Sequence, residues 1–369
     1  MIYFILDTNI WVYLANGLDN LTHKHHESHH FTLLKSLQEL TEKGEITVLV
    51  NDIIIEEWKR NKGQAYTQIQ KLKNQLSESQ TQLKKVKSIG GDLIDTEVDK
   101  LDAVLQQKTE EKVKLNEQHI QNVEDFLNKV CTKIDISNEL KIKIFDLSIT
   151  RQVPFHNKKN NIADASILFS SAEYLNEILK QEGVSAIFIT NNIEDFTDNL
   201  DKDNFHPELI KLLPTKEITF KRHLPTALKH GEAIIEEMKE FYRKQAYYES
   251  IAFSCQSAFC IGRDDFPRFG YLDKNIEVER ESDNQNIKQI DLFSGEVKIS
   301  PKHSIVRMGG CVFCGTPHIE CPVCNELISD VEYNEPFKCK ECDTTFEFKD
   351  TDEESGLDIL VIKDMTNQE

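Results

Sequence analysis

A chain of 369 residues is long enough for two or more domains, and 44 basic against 63 acidic residues give it a formal net charge of −19. This acidity argues against a protein that coats nucleic acid without specificity, because such binding depends on neutralising phosphates. It still allows a nuclease with a local basic rim. We find neither a basic-then-apolar leader nor an apolar run of membrane-spanning length, so we expect a cytoplasmic protein without a membrane partner.

The chain opens with an apolar segment, Ile2–Leu6, that is followed directly by Asp7. A short and almost uninterrupted apolar run is typical of a buried parallel strand, and such strands present functional side chains at their carboxyl ends. Ile46–Val50 is rich in β-branched residues and predicts a second strand. The helix that we expect after it carries two adjacent acids, Glu56 and Glu57.

Residues 60–132 differ in composition from their surroundings, with many Gln, Lys, Glu, Asn and Ser residues between widely spaced apolar ones. From Ile69 to Val86 the apolar residues recur in alternating steps of three and four, which predicts the seam of a coiled coil. Gly90-Gly91 marks the turn of a helical hairpin. Because both charge signs are mixed along this insertion, we favour a spacer or dimerisation arm over a substrate contact.

Two further acids follow the insertion. Asp164 lies in the first turn of an amphipathic helix, where the helix dipole favours a negative charge. Asp195 lies just past a buried strand that ends at Thr190. Leu209–Leu213 is predicted to be the last strand of the sheet.

The predicted strand ends and helix starts bring Asp7, Glu57, Asp164 and Asp195 to one edge of a parallel α/β sheet. Several carboxylates cannot share a site in ionised form without a cation, because each one raises the pKa of its neighbours. Hard oxygen ligands select Mg²⁺ or Mn²⁺, and such ions catalyse the attack of water on a phosphodiester. The sequence therefore predicts a metal-dependent catalytic centre at this edge.

This order of motifs resembles the PIN domain nucleases, specifically the PIN-like group with a long central insertion. The resemblance covers about residues 1–214 and rests on four short motifs: Leu6-Asp7-Thr8-Asn9, Glu57-Trp58, Ala163-Asp164-Ala165, and Ile189-Thr190-Asn191-Asn192 with Asp195-Phe196. It implies an α/β fold with a central parallel sheet flanked by helices. It also implies metal-dependent hydrolysis of nucleic acid, largely RNA, with some members acting on structured DNA.

The resemblance further implies individual roles. The residues expected to bind Mg or Mn and to be catalytic are Asp7, Glu57, Asp164 and Asp195, with Glu56 as the alternative to Glu57. Those expected to orient the acids are Thr8, Asn9, Thr190 and Asn192. Many family members have an aspartate at the position of Asn192, so Asp195 would complete the site directly or through water. The number of catalytic ions, one or two, stays open.

Six of the nine cysteines lie between 311 and 342 as three C-x-x-C pairs, which in a leaderless chain indicates metal rather than disulfides. One set has the spacing of a four-cysteine structural zinc site and resembles a zinc ribbon within 301–350: Cys321, Cys324, Cys339 and Cys342. Three alternatives remain for Cys311 and Cys314. They join His318 or His303 on a second zinc, they replace one C-x-x-C pair (knuckle) of the first zinc site, or they are free thiols.

The remaining segments show no evident chemistry. Residues 215–300 are expected to form a connecting α/β region, in which Cys255 and Cys260 are interpreted as small buried hydrophobes because they lack a usual ligand spacing. Residues 351–369 form an acidic tail. Within it, Leu357–Ile362 is either an edge strand or a docking peptide.

Together these patterns predict a metal-dependent nuclease, foremost an endoribonuclease with an RNA substrate, in a bacterial toxin or antiviral defence role by analogy. A protein partner is expected through the zinc ribbon or the coiled coil, and a homodimer is an alternative. One competing hypothesis is an inactive PIN-like scaffold, which Asn192 favours. Another is a structure-specific DNA nuclease, which would need a basic channel that the linear sequence does not display.

Overall fold

The computed structural model describes residues 1–17, 29–90, 92–155, 161–181, 183–198, 201–261, 268–280, 289–290, 297–298, 304–329, 331–349 and 358–363. The chain divides into two compact units, Met1–Lys239 and Glu240–Glu369. Among the helices in these ranges, none is both long and apolar enough to cross a membrane.

The first unit is built on a five-stranded parallel sheet in the order β3-β2-β1-β4-β5. Its strands are β1 (Ile2–Leu6), β2 (Ile46–Val50), β3 (Thr132–Lys133), β4 (Ser185–Ile189) and β5 (Ile218–Lys221). β1 lies in the centre, with Ile2 opposite Ile46 of β2 and Ser185 of β4. A central strand covered on both faces has few polar positions, which accounts for the apolar run at the start of the chain. The predicted parallel sheet is confirmed.

Helices cover the sheet and form the insertion. They are α1 (Thr8–Asn16), α2 (His29–Glu42), α3 (Asp52–Ala65), α4 (Thr67–Gly90), α5 (Asp92–Asp125), α6 (Asn138–Ile149), α7 (Ile162–Leu175), α8 (Ile193–Phe196), α9 (Pro207–Leu212) and α10 (Leu224–Ile251). A π-helical turn, Phe126–Val130, extends α5, and a short 3₁₀ turn, Ile178–Lys180, follows α7.

The helical hairpin predicted from the composition of residues 60–132 is formed by α4 and α5. The break follows Gly90, while Gly91 lies outside the described residues. Ion pairs join the two arms, at 3.8 Å between Lys73 Nζ and Glu117 Oε1 and again between Lys87 and Asp99.

The prediction of a strand at Leu209–Leu213 is wrong, because Pro207–Leu212 form the helix α9. Pro207 has a φ suited to a first helical turn, and His206 Nδ1 accepts a hydrogen bond from the Glu208 N–H. A short apolar run does not by itself distinguish a strand from a helix, and here these start signals decide for the helix.

The first unit also extends beyond the boundary expected at residue 214. β5 pairs in parallel with β4, and Ala227, Leu228 and Ile235 of α10 lie in the apolar core of this unit.

The second unit contains a seven-stranded sheet in the order β13-β12-β11-β8-β16-β15-β14. Its strands are β8 (Lys274–Arg280), β11 (Ser304–Gly310), β12 (Pro317–Glu320), β13 (Leu327–Ser329), β14 (Phe337–Lys338), β15 (Thr345–Lys349) and β16 (Ile359–Ile362). Two separate pairs are β6 (Ala252–Ser254) with β7 (Phe269–Tyr271) and β9 (Gln289–Ile290) with β10 (Val297–Lys298). The sheet thus reaches beyond residues 301–350.

The expectation that Leu357–Ile362 is an edge strand or a docking peptide is wrong. β16 lies inside the sheet, antiparallel to β15 and parallel to β8. Leu360 and Val361 are buried. A four-residue apolar run reads alike at an edge and in the centre, because the pairing partners are distant in sequence.

We expect Leu360→Ala to destabilise the second unit by about 2–5 kcal/mol, since it removes a fully buried side chain and leaves a cavity. Hydrogen exchange by mass spectrometry should show faster exchange in β8 and β15. Ile359→Ala, which changes a half-buried neighbour, is the control and should have a smaller effect. Unchanged exchange in Leu360→Ala would contradict the interior position of β16.

Candidate functional site

Four acidic side chains come from four elements at one edge of the parallel sheet. Asp7 directly follows β1, Glu57 lies on α3 after β2, Asp164 lies in the first turn of α7, and Asp195 lies on α8 after β4. The pKa of Asp164 is raised first by burial and then by the charges of Asp7, Glu57 and Asp195. The structure therefore brings the four acids together, as the sequence predicts.

Hydroxyl and amide side chains donate to one oxygen of Asp7, and a hydrogen bond from the Thr8 backbone also lowers the pKa of this acid. Its Oδ2 accepts a 2.6 Å hydrogen bond from Thr190 Oγ1 and a 3.5 Å one from Asn9 Nδ2. Its buried Oδ1 has no hydrogen-bond partner among the described residues. Burial raises the pKa of Asp7 to about 6, against the opposing effect of these hydrogen bonds.

Glu57, rather than Glu56, is the acid that α3 contributes. Thr8 Oγ1 donates a 2.7 Å hydrogen bond to Glu57 Oε2, and the Arg60 guanidinium lies 3.8 Å from Oε1. The Glu56 side chain is 62% exposed and pairs with Lys59, whereas that of Glu57 is 19% exposed. The structure therefore places Glu57, and not Glu56, beside the other acids.

Asp164 is bound to the amide at position 192. Asn192 Nδ2 donates a 2.6 Å hydrogen bond to Asp164 Oδ2, and the Asn192 backbone N–H donates to Thr190 Oγ1 at 2.9 Å. Burial and the neighbouring acids raise the pKa of Asp164 to about 8, which the Asn192 hydrogen bond opposes. Thr190 thus connects the Asp7 and Asp164 halves of the cluster, and Asp195 is fully buried beside them.

These features fit a divalent cation with oxygen ligands. A buried oxygen of Asp7 lacks a donor, and neighbouring acids raise the pKa of Asp7 and of Asp164, so a positive charge is what the cluster lacks. Within the described ranges, only two cysteine groups bring three or more ligand atoms within 4.8 Å of one another. No three of the described acids bring their oxygens that close, so a cation among them would complete its coordination with water, as Mg²⁺ commonly does.

The first cysteine group is the one predicted from its spacing: Cys321, Cys324, Cys339 and Cys342. The Sγ atoms of Cys321 and Cys342 lie 3.6 Å apart, as do those of Cys324 and Cys339. A tetrahedron with metal–sulfur bonds of about 2.3 Å has edges of about 3.8 Å, whereas a disulfide needs about 2.05 Å. This group has the geometry of a zinc site.

The second group joins Cys311 and Cys314 to Cys255 and Cys260. The interpretation of the latter two as small buried hydrophobes is wrong. So is the expectation that Cys311 and Cys314 replace one knuckle of the first group, which is complete with four sulfurs of its own.

His318 is not a ligand of the second group. It uses both ring nitrogens elsewhere, at 2.9 Å from Thr316 O and 3.1 Å from Gln256 N. The other candidate, His303, lies outside the described residues.

The number of cysteines is the one signal in the sequence that could have indicated the second group. Cys311 and Cys314 need two further soft ligands, and Cys131 belongs to the first unit, so Cys255 and Cys260 are the cysteines that remain in the second unit. Four residues separate Cys255 from Cys260, and this spacing differs from the C-x-x-C pattern that marks the other pairs.

A family model described as PIN domain matches residues 4–196, which is more than half of the chain. The match contains all four acids and the helical insertion, and it ends before the cysteine groups. No curated protein and no solved structure matches the chain.

We expect the metal-free protein to lose stability as the pH rises from about 5 to 8. The pKa of Asp164 is about 8 in the folded protein and about 3.9 when unfolded, so the folded state binds more protons in this interval and rising pH favours unfolding. Each pKa unit corresponds to about 1.4 kcal/mol. The midpoint of thermal unfolding in EDTA, followed by circular dichroism, should fall.

Asp164→Asn is the control for this pH effect, because it keeps the shape and removes the titrating group. Its unfolding midpoint should depend less on pH, and Mn²⁺ at pH 8 should stabilise the native protein more than this variant. A native midpoint that rises between pH 5 and 8 in EDTA would contradict the raised pKa of Asp164.

Proposed function

The chain belongs to the PIN domain family, and we propose that it is a metal-dependent endoribonuclease with its catalytic centre at Asp7, Glu57, Asp164 and Asp195. PIN domains are in general metal-dependent nucleases. The observation that carries the proposal is the meeting of four acids at the carboxyl edge of the sheet, with a buried oxygen of Asp7 left without a donor.

We assign Mg²⁺ or Mn²⁺ to these four acids. Such an ion, when bound, lowers the pKa of water and offsets the charge of the phosphate. The chain's own contribution is to fix the acids: the Thr190 hydroxyl and the Asn9 amide hold Asp7, and the Thr8 hydroxyl holds Glu57. These donors keep the carboxylates at defined positions although they repel one another.

A cationic rim for the substrate backbone lies on α3, the helix that carries Glu57. Lys59 and Arg60 are exposed there, and Lys62 is about one-third exposed. Each is paired with a glutamate, so phosphates would compete with those pairs for the cations. We propose single-stranded RNA as the substrate, and products with 5′-phosphate and 3′-hydroxyl ends.

The hairpin of α4 and α5 is the proposed contact for a protein partner, which includes a second copy of the chain. Among its described residues, five large apolar side chains are exposed: Val86, Ile89, Leu101, Val104 and Leu115. A role as a bacterial toxin or antiviral effector is proposed by analogy with other uses of the domain.

The competing proposal is an inactive scaffold, and the observation in its favour is Asn192. An amide donates to Asp164 where a further carboxylate would add negative charge and a possible ligand. The intact group Asp7, Glu57, Asp164 and Asp195 favours the enzyme.

The direct test incubates the purified protein with labelled single-stranded RNA and DNA of the same sequence in Mn²⁺ and in EDTA. We expect RNA cleavage in Mn²⁺ alone, and a rate lowered by more than about 100-fold in Asp164→Asn. Asp146→Asn, an exposed acid on α6, is the matched control and should retain activity. Cleavage that survives EDTA or Asp164→Asn would remove this mechanism, cleavage of DNA alone would favour a DNA nuclease, and no cleavage would favour the scaffold.

Asn192→Asp should make the cluster more dependent on metal. A carboxylate in place of the amide removes the 2.6 Å donor to Asp164 and adds a repelling charge. We expect a lower unfolding midpoint in EDTA at pH 8 and a larger Mn²⁺-induced increase than in the native protein. Asn138→Asp, which adds the same charge at an exposed position of α6, is the control and should leave both midpoints near those of the native protein. An equal Mn²⁺-induced increase in native protein and Asn192→Asp would place residue 192 outside the metal site.

A further inference from the structure

We propose that Cys255, Cys260, Cys311 and Cys314 bind a structural zinc ion, and that this ion rather than the apolar core holds residues 252–261 in the second unit. The proposal is independent of the nuclease reaction. It concerns a segment in which the sequence showed no chemistry.

The sulfur positions fit a closed tetrathiolate site. Cys255 Sγ lies 3.7 Å from Cys314 Sγ, and Cys260 Sγ lies 4.0 Å from Cys311 Sγ. All four lie within 4.8 Å of one another. Zinc–sulfur bonds of about 2.3 Å give a tetrahedral edge of about 3.8 Å, so one ion reaches all four sulfurs. A site filled by four thiolates has no open position for substrate, which makes the role structural.

The Cys311 pair is built like the two pairs of the first cysteine group. The same turn occurs at Cys311–Thr316, Cys321–Glu326 and Cys339–Thr344. In each, the first cysteine N–H donates to the carbonyl of the last residue, at 3.0, 2.8 and 2.9 Å. The residue after the second cysteine has a positive φ, at Gly315, Asn325 and Asp343. Since the other two turns hold a four-cysteine group together, the third is a ligand pair rather than two free thiols.

Residues 252–261 have little apolar anchoring of their own. Ser257 and Cys260 are the only buried residues in this segment, while Phe259 is 57% and Ile261 64% exposed. The described apolar core of the second unit includes Cys321 and Cys339 of the first group but no residue of 252–261. Backbone pairing with β7 orders Ala252–Ser254, but ordering the residues that follow costs conformational entropy that this burial does not offset. Bonds from Cys255 and Cys260 to the metal supply the stabilising free energy that the apolar core does not.

His318 connects the knuckle to the segment from a buried position. Its Nε2 accepts from the Gln256 N–H at 3.1 Å, which places the ring proton on Nδ1, and Nδ1 donates to Thr316 O at 2.9 Å. The ring also lies 4.5 Å from that of Phe253. Such a support behind the ligands is what a metal site uses to fix their positions.

The test measures zinc by mass spectrometry in the full-length, reduced protein. We expect about two zinc ions per chain from two four-ligand groups, and about one in Cys255→Ala/Cys260→Ala. Cys131→Ala, at a buried cysteine of the first unit, is the control and should keep about two. One zinc in the native protein, or an unchanged content in the double variant, would overturn the proposal.

Two further readouts keep the test decisive if the double variant folds poorly. Native protein stripped of metal and titrated with Co²⁺ alone should develop the thiolate-to-cobalt absorption up to about two equivalents, and saturation at one would overturn the proposal. Limited proteolysis should cut within residues 252–261 at least about tenfold faster in the double variant than in Cys131→Ala. Equal rates would contradict the anchoring role of the metal. Neither readout depends on nuclease activity.

Discussion

Mutual repulsion among four carboxylates is the constraint on which the first unit depends. The parallel sheet brings Asp7, Glu57, Asp164 and Asp195 to one edge, and burial and neighbouring charge raise the pKa of Asp7 and of Asp164. Hydroxyl and amide donors fix the acids without neutralising them. Burial of the apolar strands behind the site offsets the unfavourable free energy of clustering the acids. A hard cation supplies the missing positive charge.

The second unit differs from the first in its ligands, which are cysteine sulfurs instead of carboxylate oxygens. In its two cysteine groups the paired sulfurs lie 3.6 to 4.0 Å apart, whereas no three of the described acids bring their oxygens within 4.8 Å of one another. A closed thiolate site binds its metal to hold the chain, and an open carboxylate site leaves room for water and a phosphate. In this account the thiolate groups have a structural role and the carboxylate group has a chemical one.

The sequence predicted what depends on local patterns. The β1 strand and Asp7 were readable because a buried parallel strand is almost wholly apolar up to its functional end. The helix α9 and the interior position of β16 were not, because short apolar runs do not encode their partners. The Glu57-Trp58 motif favoured Glu57 over Glu56 from the sequence, and the orientation of α3 places Glu57 beside the other acids. The pairing of Cys255 with the Cys311 knuckle depends on how distant segments pack, which no local spacing records.

The most direct test of the central claim is an anomalous diffraction map of crystals soaked in Mn²⁺. If the acids share a cation, a manganese peak should lie between the carboxylates of Asp7 and Asp164, with metal–oxygen distances of about 2.0–2.3 Å. It should be absent in Asp164→Asn crystals soaked in the same way. Native crystals without a manganese peak at this edge of the sheet, with both side chains ordered, would contradict the account.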